Sequence, residues 1–304
     1  MIKKVVFLTL LVSLVPQFAF GWGKRGHEIV ASVAARLLEE NQHADYLKEH
    51  EFDLGYYANV PDLVWRNISK EIGATEAPQH YIDWTKAMAK AFGSPKNLPL
   101  EFSEFKEKMG ADYDFKLGVV PYRIHDLIKR CKKITETLTK ETQGPLLVCL
   151  GELSHYTGDI SMPLHTSENH DGDMTHQHGI HVYFEGNLVN ALDPQLKIEV
   201  LEKARKLFGK HVTSKMNSDT AVRWLIEDSN NKVDELLNLD HGLDRTNINA
   251  AKNKYHTLIV NRLVEGVVVT AEIWSEILAN VKGFDETKFY FFDGKPEYVD
   301  PGKE

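Results

Sequence analysis

Cysteine is scarce in this chain, with only Cys131 and Cys149 among 304 residues. The fold therefore cannot depend on a dense disulfide framework. A single bridge between the two is compatible with the sequence. So is a buried free thiol, because Cys149 lies in the apolar run Leu146 to Leu150. Membrane-length hydrophobic runs are missing too. The stretch from Val5 to Val15 is too short to span a bilayer comfortably, and no later segment is long and apolar enough. No basic stripe of the kind that tracks nucleic acid is present, and the formal charge is -8. Strand-like alternation is confined to His181–Phe184 and Lys288–Phe292. Internal repeats, low-complexity tracts and flexible linkers are absent.

The first residues combine the basic pair Lys3-Lys4, the apolar run, Pro16 and the small residues Ala19 and Gly21. That order is the pattern of a secretory signal over residues 1–21, with the mature chain starting at Trp22. No cysteine follows that site to take a lipid, so a soluble protein exported to the periplasm or medium is expected, without a stable membrane anchor. Of the whole chain, 42% is hydrophobic and 26% charged, which suits one compact domain. Helical periodicity is strongest in Gly26–Glu40, Tyr122–Thr139, Leu146–Asp159 and Asn249–Val281. Shorter helical patterns cover Phe102–Lys108, Gln195–Lys210 and Thr220–Leu237. The expected fold is all-α, with one multi-helix domain over residues 22–283 and a short irregular tail, 284–304, folding back on it.

Two one-turn pairs carry the chemistry. His155 and Asp159 form H-x-x-x-D inside a predicted helix, which puts both on one face. His165 follows Pro163, and after a polar loop His181 and Glu185 form H-x-x-x-E. Imidazole and carboxylate at this spacing are zinc-type donors, and two such pairs within about thirty residues are far more specific than a lone histidine. His170, His176 and His178 lie in the polar loop and are weak candidates. His43, His50, His125, His211, His241 and His256 show no partner spacing.

The run Leu150-Gly151-Glu152-Leu153-Ser154-His155-Tyr156-Thr157-Gly158-Asp159, followed by Pro163-Leu164-His165 and Gly179-Ile180-His181-Val182-Tyr183-Phe184-Glu185, resembles bacterial zinc-dependent phospholipase C. The same superfamily includes the single-strand-specific zinc nucleases, which also start at a mature tryptophan with a histidine nearby. Trp22-Gly23-Lys24-Arg25-Gly26-His27 matches that start, and similarity extends to Pro61-Asp62 and to His80 in Gln79-His80-Tyr81-Ile82-Asp83. The resemblance implies a cleft with three zinc ions. Asp62, His80, His155 and Asp159 would hold the first, and His165, His181 and Glu185 the second. The amine and carbonyl of Trp22 would hold the third with His27 and Asp159. It further implies phosphoric ester cleavage by zinc-activated water, with Asp62 and Asp159 at the centre of the catalysis.

The substrate that the resemblance implies is a phospholipid headgroup or single-stranded nucleic acid. Glu185 ends its pair as in the phospholipases, where the nucleases typically have aspartate. His170-Asp171-Gly172-Asp173 also stands in place of the nuclease D-x-G-G-N signature. The acidic balance gives a polyanion little long-range attraction. Phospholipase C-type cleavage is therefore the first expectation and nuclease or nucleotidase activity the second. A non-catalytic zinc-binding periplasmic protein is the third. Tyr56, Tyr57 and Trp65, with Tyr81 and Trp84, are aromatic candidates for stacking a base or enclosing a quaternary ammonium. Nothing in the sequence points to a protein partner.

Overall fold

The computed structural model describes residues 22–38, 44–139, 142–281 and 297–301. Among them the chain is helical and contains no β-strand. The principal helices are α1 (Gly23–Leu37), α2 (Glu51–Tyr57), α3 (Val120–Glu136), α4 (Gln143–Asp159), α5 (Leu196–Leu207), α6 (Ser218–Asn230), α7 (Val233–Asp240) and α8 (Ile248–Leu278).

Helix α4 is the axis of the molecule. Every residue in it except Pro145 is buried, because apolar residues run all round it and its polar members, Gln143, Glu152, Ser154, His155, Thr157 and Asp159, are few. Helices α1, α2, α3 and α8 pack around it. The long helix α8 buries its valine-rich middle, Val264 to Val269, with Trp274 against the same core. Each large side chain buried in this way contributes about 1.5–3 kcal/mol. Cys131 of α3 and Cys149 of α4 form a disulfide with Cα atoms 5.7 Å apart, which settles the alternative the sequence left open.

Local chemistry sets several helix starts. Ser69 accepts the N–H of Ile72 at 3.1 Å, Thr85 that of Met88 at 3.2 Å, and Asn217 that of Thr220 at 2.9 Å. At Gly118, φ is +85°, and a Cβ there would lie 2.1 Å from the Tyr81 carbonyl oxygen. Only glycine fits where this turn grips the segment carrying His80. That grip is made by Asp83 N–H donating to Leu117 O at 2.7 Å and Val120 N–H to Tyr81 O at 3.2 Å.

Three expectations change. The stretch Thr220–Leu237 is two helices, α6 and α7, broken at Asn231-Lys232. His181–Phe184 is not a strand: Ile180–Val182 is α-helical and Tyr183–Leu188 continues as a π-helical segment. Alternating Ile, Val and Phe mimicked a strand, but Phe184 and Leu188 both turn into the core, as a helical period requires. Helices Glu51–Tyr57, Lys70–Glu76 and Lys86–Phe92 fall where no periodicity was assigned. Lys288–Phe292 lies outside the described residues. In the tail, Val299 O accepts from Arg123 Nη1 at 2.8 Å and the Tyr298 ring stands 5.6 Å from Trp65, so this piece folds back as expected. No described helix is long and apolar enough to cross a membrane.

Candidate metal centre

Helix α4 presents His155 and Asp159 at its buried C-terminal end, and the surrounding segments aim their donors at the same point. From α1 comes His27, whose ring stacks on His155 with centroids 3.9 Å apart and whose Nε2 is 3.5 Å from Asp159 Oδ1. From the helical turns that follow α2 come Asp62 and His80, with His80 Nδ1 3.8 Å from Asp62 Oδ1 and 3.0 Å from Asp159 Oδ2. His155 Nε2 lies 2.9 Å from His80 Nδ1 and 3.2 Å from Asp159 Oδ2. A second knot joins His165, His181 and Glu185: the two Nε2 atoms are 3.1 Å apart, and Glu185 Oε2 is 2.9 Å from His181 and 3.5 Å from His165. Their ligand atoms form three metal-compatible groups: His27, His155 and Asp159; Asp62, His80 and His155; and His165, His181 and Glu185. All of these residues are buried.

The tautomers decide what this cluster is for. His155 Nδ1 is 2.7 Å from Ala58 O, His165 Nδ1 2.7 Å from His80 O, and His181 Nδ1 2.7 Å from His170 O. A carbonyl only accepts, so each Nδ1 carries a proton and, in the neutral imidazole, each Nε2 is a lone pair. The Nε2 atoms of His165 and His181 thus face each other as two lone pairs beside a carboxylate. Such an arrangement is repulsive unless a cation is shared among them. Both ring nitrogens of His27, Asp159 Oδ1 and Glu185 Oε2 are buried with no hydrogen-bond partner. Orphaned donor atoms of zinc-preferred types, oriented from behind by backbone carbonyls, fit a metal site.

Electrostatics agree. Burial, with His155 beside it, pushes the imidazolium of His27 well below its usual range, and burial likewise lowers His181. Burial alone would raise Asp159, but His155, His165 and His80 outweigh it and hold this carboxyl well below the ordinary value. Burial opposes charge on His80 as well, yet Asp159, Glu76 and Asp62 raise it to about 9. The carboxylates call for positive charge at this spot.

Trp22 is fully buried, its indole donating to Ser161 Oγ at 2.8 Å and its ring 5.6 Å from Phe184. Gly158 lets this corner close, since a Cβ there would come within 3.1 Å of His27 Nδ1. The start of the described chain is thereby fixed next to His27 and Asp159. Beside the second knot opens a cavity of about 120 Å³ lined by Arg66, Tyr81, Leu164, His165, His170 and His181 among others. Arg66 Nη1 also lies 3.2 Å from Asp62 Oδ1. A larger cavity, about 500 Å³, contains none of the clustered residues, and its Arg262 and Lys232 are paired with Asp228 and Glu235.

All nine candidate ligands named from the sequence are in this region: eight fall within the three groups, and Trp22 is buried beside them. The aromatic candidates scatter. Trp65 is buried against Arg123 and Tyr298, Tyr57 is buried against Gly151, and Tyr56 is 59% exposed on another cavity. Sequence reasoning missed Glu76. It is fully buried, its Oε1 is 3.4 Å from His80 Nε2, and it accepts from Tyr156 Oη and, at 3.4 Å, from Arg123 Nη2. The signal was present, because Glu76 and His80 are one turn apart, as are Asp62 and Arg66. Three of the histidines without partner spacing are paired over long range, His125 with Asp219 at 2.6 Å, His211 with Glu265 and His256 with Glu199 both at 3.0 Å, and His50 is paired locally with Asp53 at 2.7 Å.

A family model for S1/P1 nucleases matches residues 22–190, the whole stretch from Trp22 past Glu185. The chain belongs to the S1/P1 nuclease family. Endonuclease 2 of Arabidopsis thaliana is 25% identical over 215 residues, covering 67% of this chain and 68% of that protein. A probable serine protease of Bradyrhizobium tropiciagri is 24% identical, covering 50% of this chain and 27% of that protein. S1/P1 family membership makes this a phosphodiester hydrolase of a metal-dependent kind. These matches back the second expectation from the sequence, nuclease activity, better than the first.

Proposed function

We propose that this protein is an exported zinc-dependent nuclease that cleaves single-stranded nucleic acid. The observation that carries it is the set of Nε2 lone pairs on His155, His165 and His181, turned inward by backbone carbonyls onto buried carboxylates within a nuclease-family chain. Asp62, His80, His155 and Asp159 would hold one zinc, His165, His181 and Glu185 a second, and Trp22 with His27 and Asp159 a third. When bound, zinc supplies an activated water at neutral pH and charge for the phosphate oxygens.

The chain's own residues do the rest. Asp159 lies among His27, His80, His155 and His165, so its two oxygens are suited to bridging two metals. Arg66, on the cavity wall and against Asp62, offers a guanidinium to a phosphoryl oxygen. Tyr81 gives the same cavity an aromatic wall on which a base can stack. Behind it Asp83, raised to about 7 by burial and by Glu168, keeps Oδ1 without a partner and Oδ2 3.9 Å from His170 Nδ1. Export is supported by the order of basic, apolar and small residues in 1–21.

Phospholipase C-type cleavage remains the second reading because Glu185 is the longer acid at this position. Purified protein beginning at Trp22 is assayed on single-stranded DNA, single-stranded RNA and phosphatidylcholine, with and without chelator. Chelator-sensitive cleavage of the nucleic acids is expected. Release of phosphocholine with the nucleic acids left intact would overturn the nuclease reading.

A further inference from the structure

Phe52 and Tyr56 are one turn apart on α2 and are 79% and 59% exposed, in a chain whose other rings are mostly packed. They border a cavity of about 360 Å³ between α1, α2 and the start of α5. Its walls carry three cations, Lys24, Arg25 and Lys197, against two carboxylates, Glu28 and Glu51. Glu51 is already held by Arg36 and by Lys197 at 3.5 Å, and Glu28 by Lys24 at 3.3 Å. Arg25 donates to the carbonyls of Val189, Leu192 and Asp193, which fixes its guanidinium without neutralising it; the Asp193 carboxylate is the further acid near it. Lys197 Nζ stands 5.7 Å from the Phe52 ring centroid. Counting Arg36 and Asp193, four cations stand against three carboxylates, one positive charge in excess beside unburied rings in a chain of formal charge -8.

The cavity backs onto the metal centre. Its α1 residues flank His27, Gly55 packs on Glu28, and Asn59 donates to Lys24 O at 3.4 Å and Gly55 O at 2.9 Å. One residue before Asn59, the carbonyl of Ala58 orients His155. We infer that this face is a docking site for a single-stranded stretch of nucleic acid outside the scissile site, with bases on Phe52 and Tyr56 and phosphates on Lys197 and Arg25. The inference deepens the nuclease reading and rests on it for the identity of the ligand. Alternating rings and cations match a strand, whereas a lipid surface calls for a broader apolar patch.

The test uses zinc-loaded protein and a non-hydrolysable phosphorothioate oligothymidylate of about twelve nucleotides, followed by fluorescence anisotropy. Phe52→Ala weakens binding about tenfold. Lys197→Gln lowers the slope of log affinity against log salt by about 0.7. Thermal unfolding of Phe52→Ala stays at the wild-type temperature, because the ring is exposed. On cleavable substrates, kcat/KM of Phe52→Ala falls about tenfold for the long oligonucleotide and less than twofold for a dinucleotide. Wild-type affinity in both variants, with cleavage of long and short substrates reduced alike or not at all, overturns the docking site. So does a Phe52-dependent loss of binding to phosphatidylcholine vesicles with oligonucleotide binding intact. Phe52-dependent oligonucleotide binding without any cleavage by the wild type sustains the docking site and sinks the nuclease reading instead.

Discussion

The three carbonyls of Ala58, His80 and His170 each fix one imidazole, so the site's chemistry is written in backbone as much as in side chains. Removing an inward donor is therefore severe. Asp159→Asn or His155→Ala is expected to abolish turnover and reduce zinc content by elemental analysis, while His176→Ala in the exposed loop changes neither. Glu76→Gln tests the layer behind the ligands. Losing the carboxylate behind His80 is expected to weaken zinc by about 10–100-fold in chelator competition while the fold survives. Glu152 tests a different site on the same helix. It is buried, both oxygens lack hydrogen bonds, Arg130 is 3.9 Å away, and burial raises its carboxyl to about 8. The folded group keeps a proton that the unfolded chain releases near pH 4.5. Its contribution is thus complete below that pH and is lost as pH rises through about 8. Glu152→Gln should flatten this decline, raising the melting temperature at pH 9 by about 2–4 °C for each kcal/mol recovered.

Among the elements, legibility followed amphipathic length. Helix α4 could be read because its apolar run leads into His155 and Asp159, and α8 because its pattern persists over 31 residues. Short helices such as Lys70–Glu76 carry few apolar residues, and their form depends on a Ser69 cap and on packing. The π-helical segment after Val182 escaped for another reason. Ile180 and Val182 before it and the aromatic Tyr183 and Phe184 fit either period, and only the burial of Phe184 and Leu188 chooses. The disulfide joining α3 to α4 closes a loop with a sequence separation of 18. A loop of that size stabilises by about 3 kcal/mol in the chain-entropy model. Cys131→Ser with Cys149→Ser should lower the urea midpoint correspondingly. Turnover should be largely retained, because Cys149 lies nearly three turns before Asp159 along α4.

For the whole molecule, the pairs His155 with Asp159 and His181 with Glu185 were legible from helical spacing, whereas Trp22, His27, Asp62 and His80 were named only through the family resemblance. The second layer was not legible, since Arg123, Tyr156 and the tail meet Glu76 only after the chain has folded. Substrate choice was the least legible. Glu185 and the net charge of -8 both argued against nucleic acid, whereas the family match and the local excess of cations at Arg25 and Lys197 argue for it. A centre that gathers five histidines and three carboxylates from α1, α4, the turns between them and the segments that follow α4 also ties stability to the metal. Chelation is expected to lower the melting temperature by several degrees, with recovery on adding zinc, measured by calorimetry.

His80 has two duties: its ring faces Asp159 and His155, and its backbone carbonyl holds the ring of His165. The two knots consequently share a hinge of one residue. Ordering the first preorganises the second, so zinc should load in a sigmoidal titration, and intermediates with only one knot filled should be scarce.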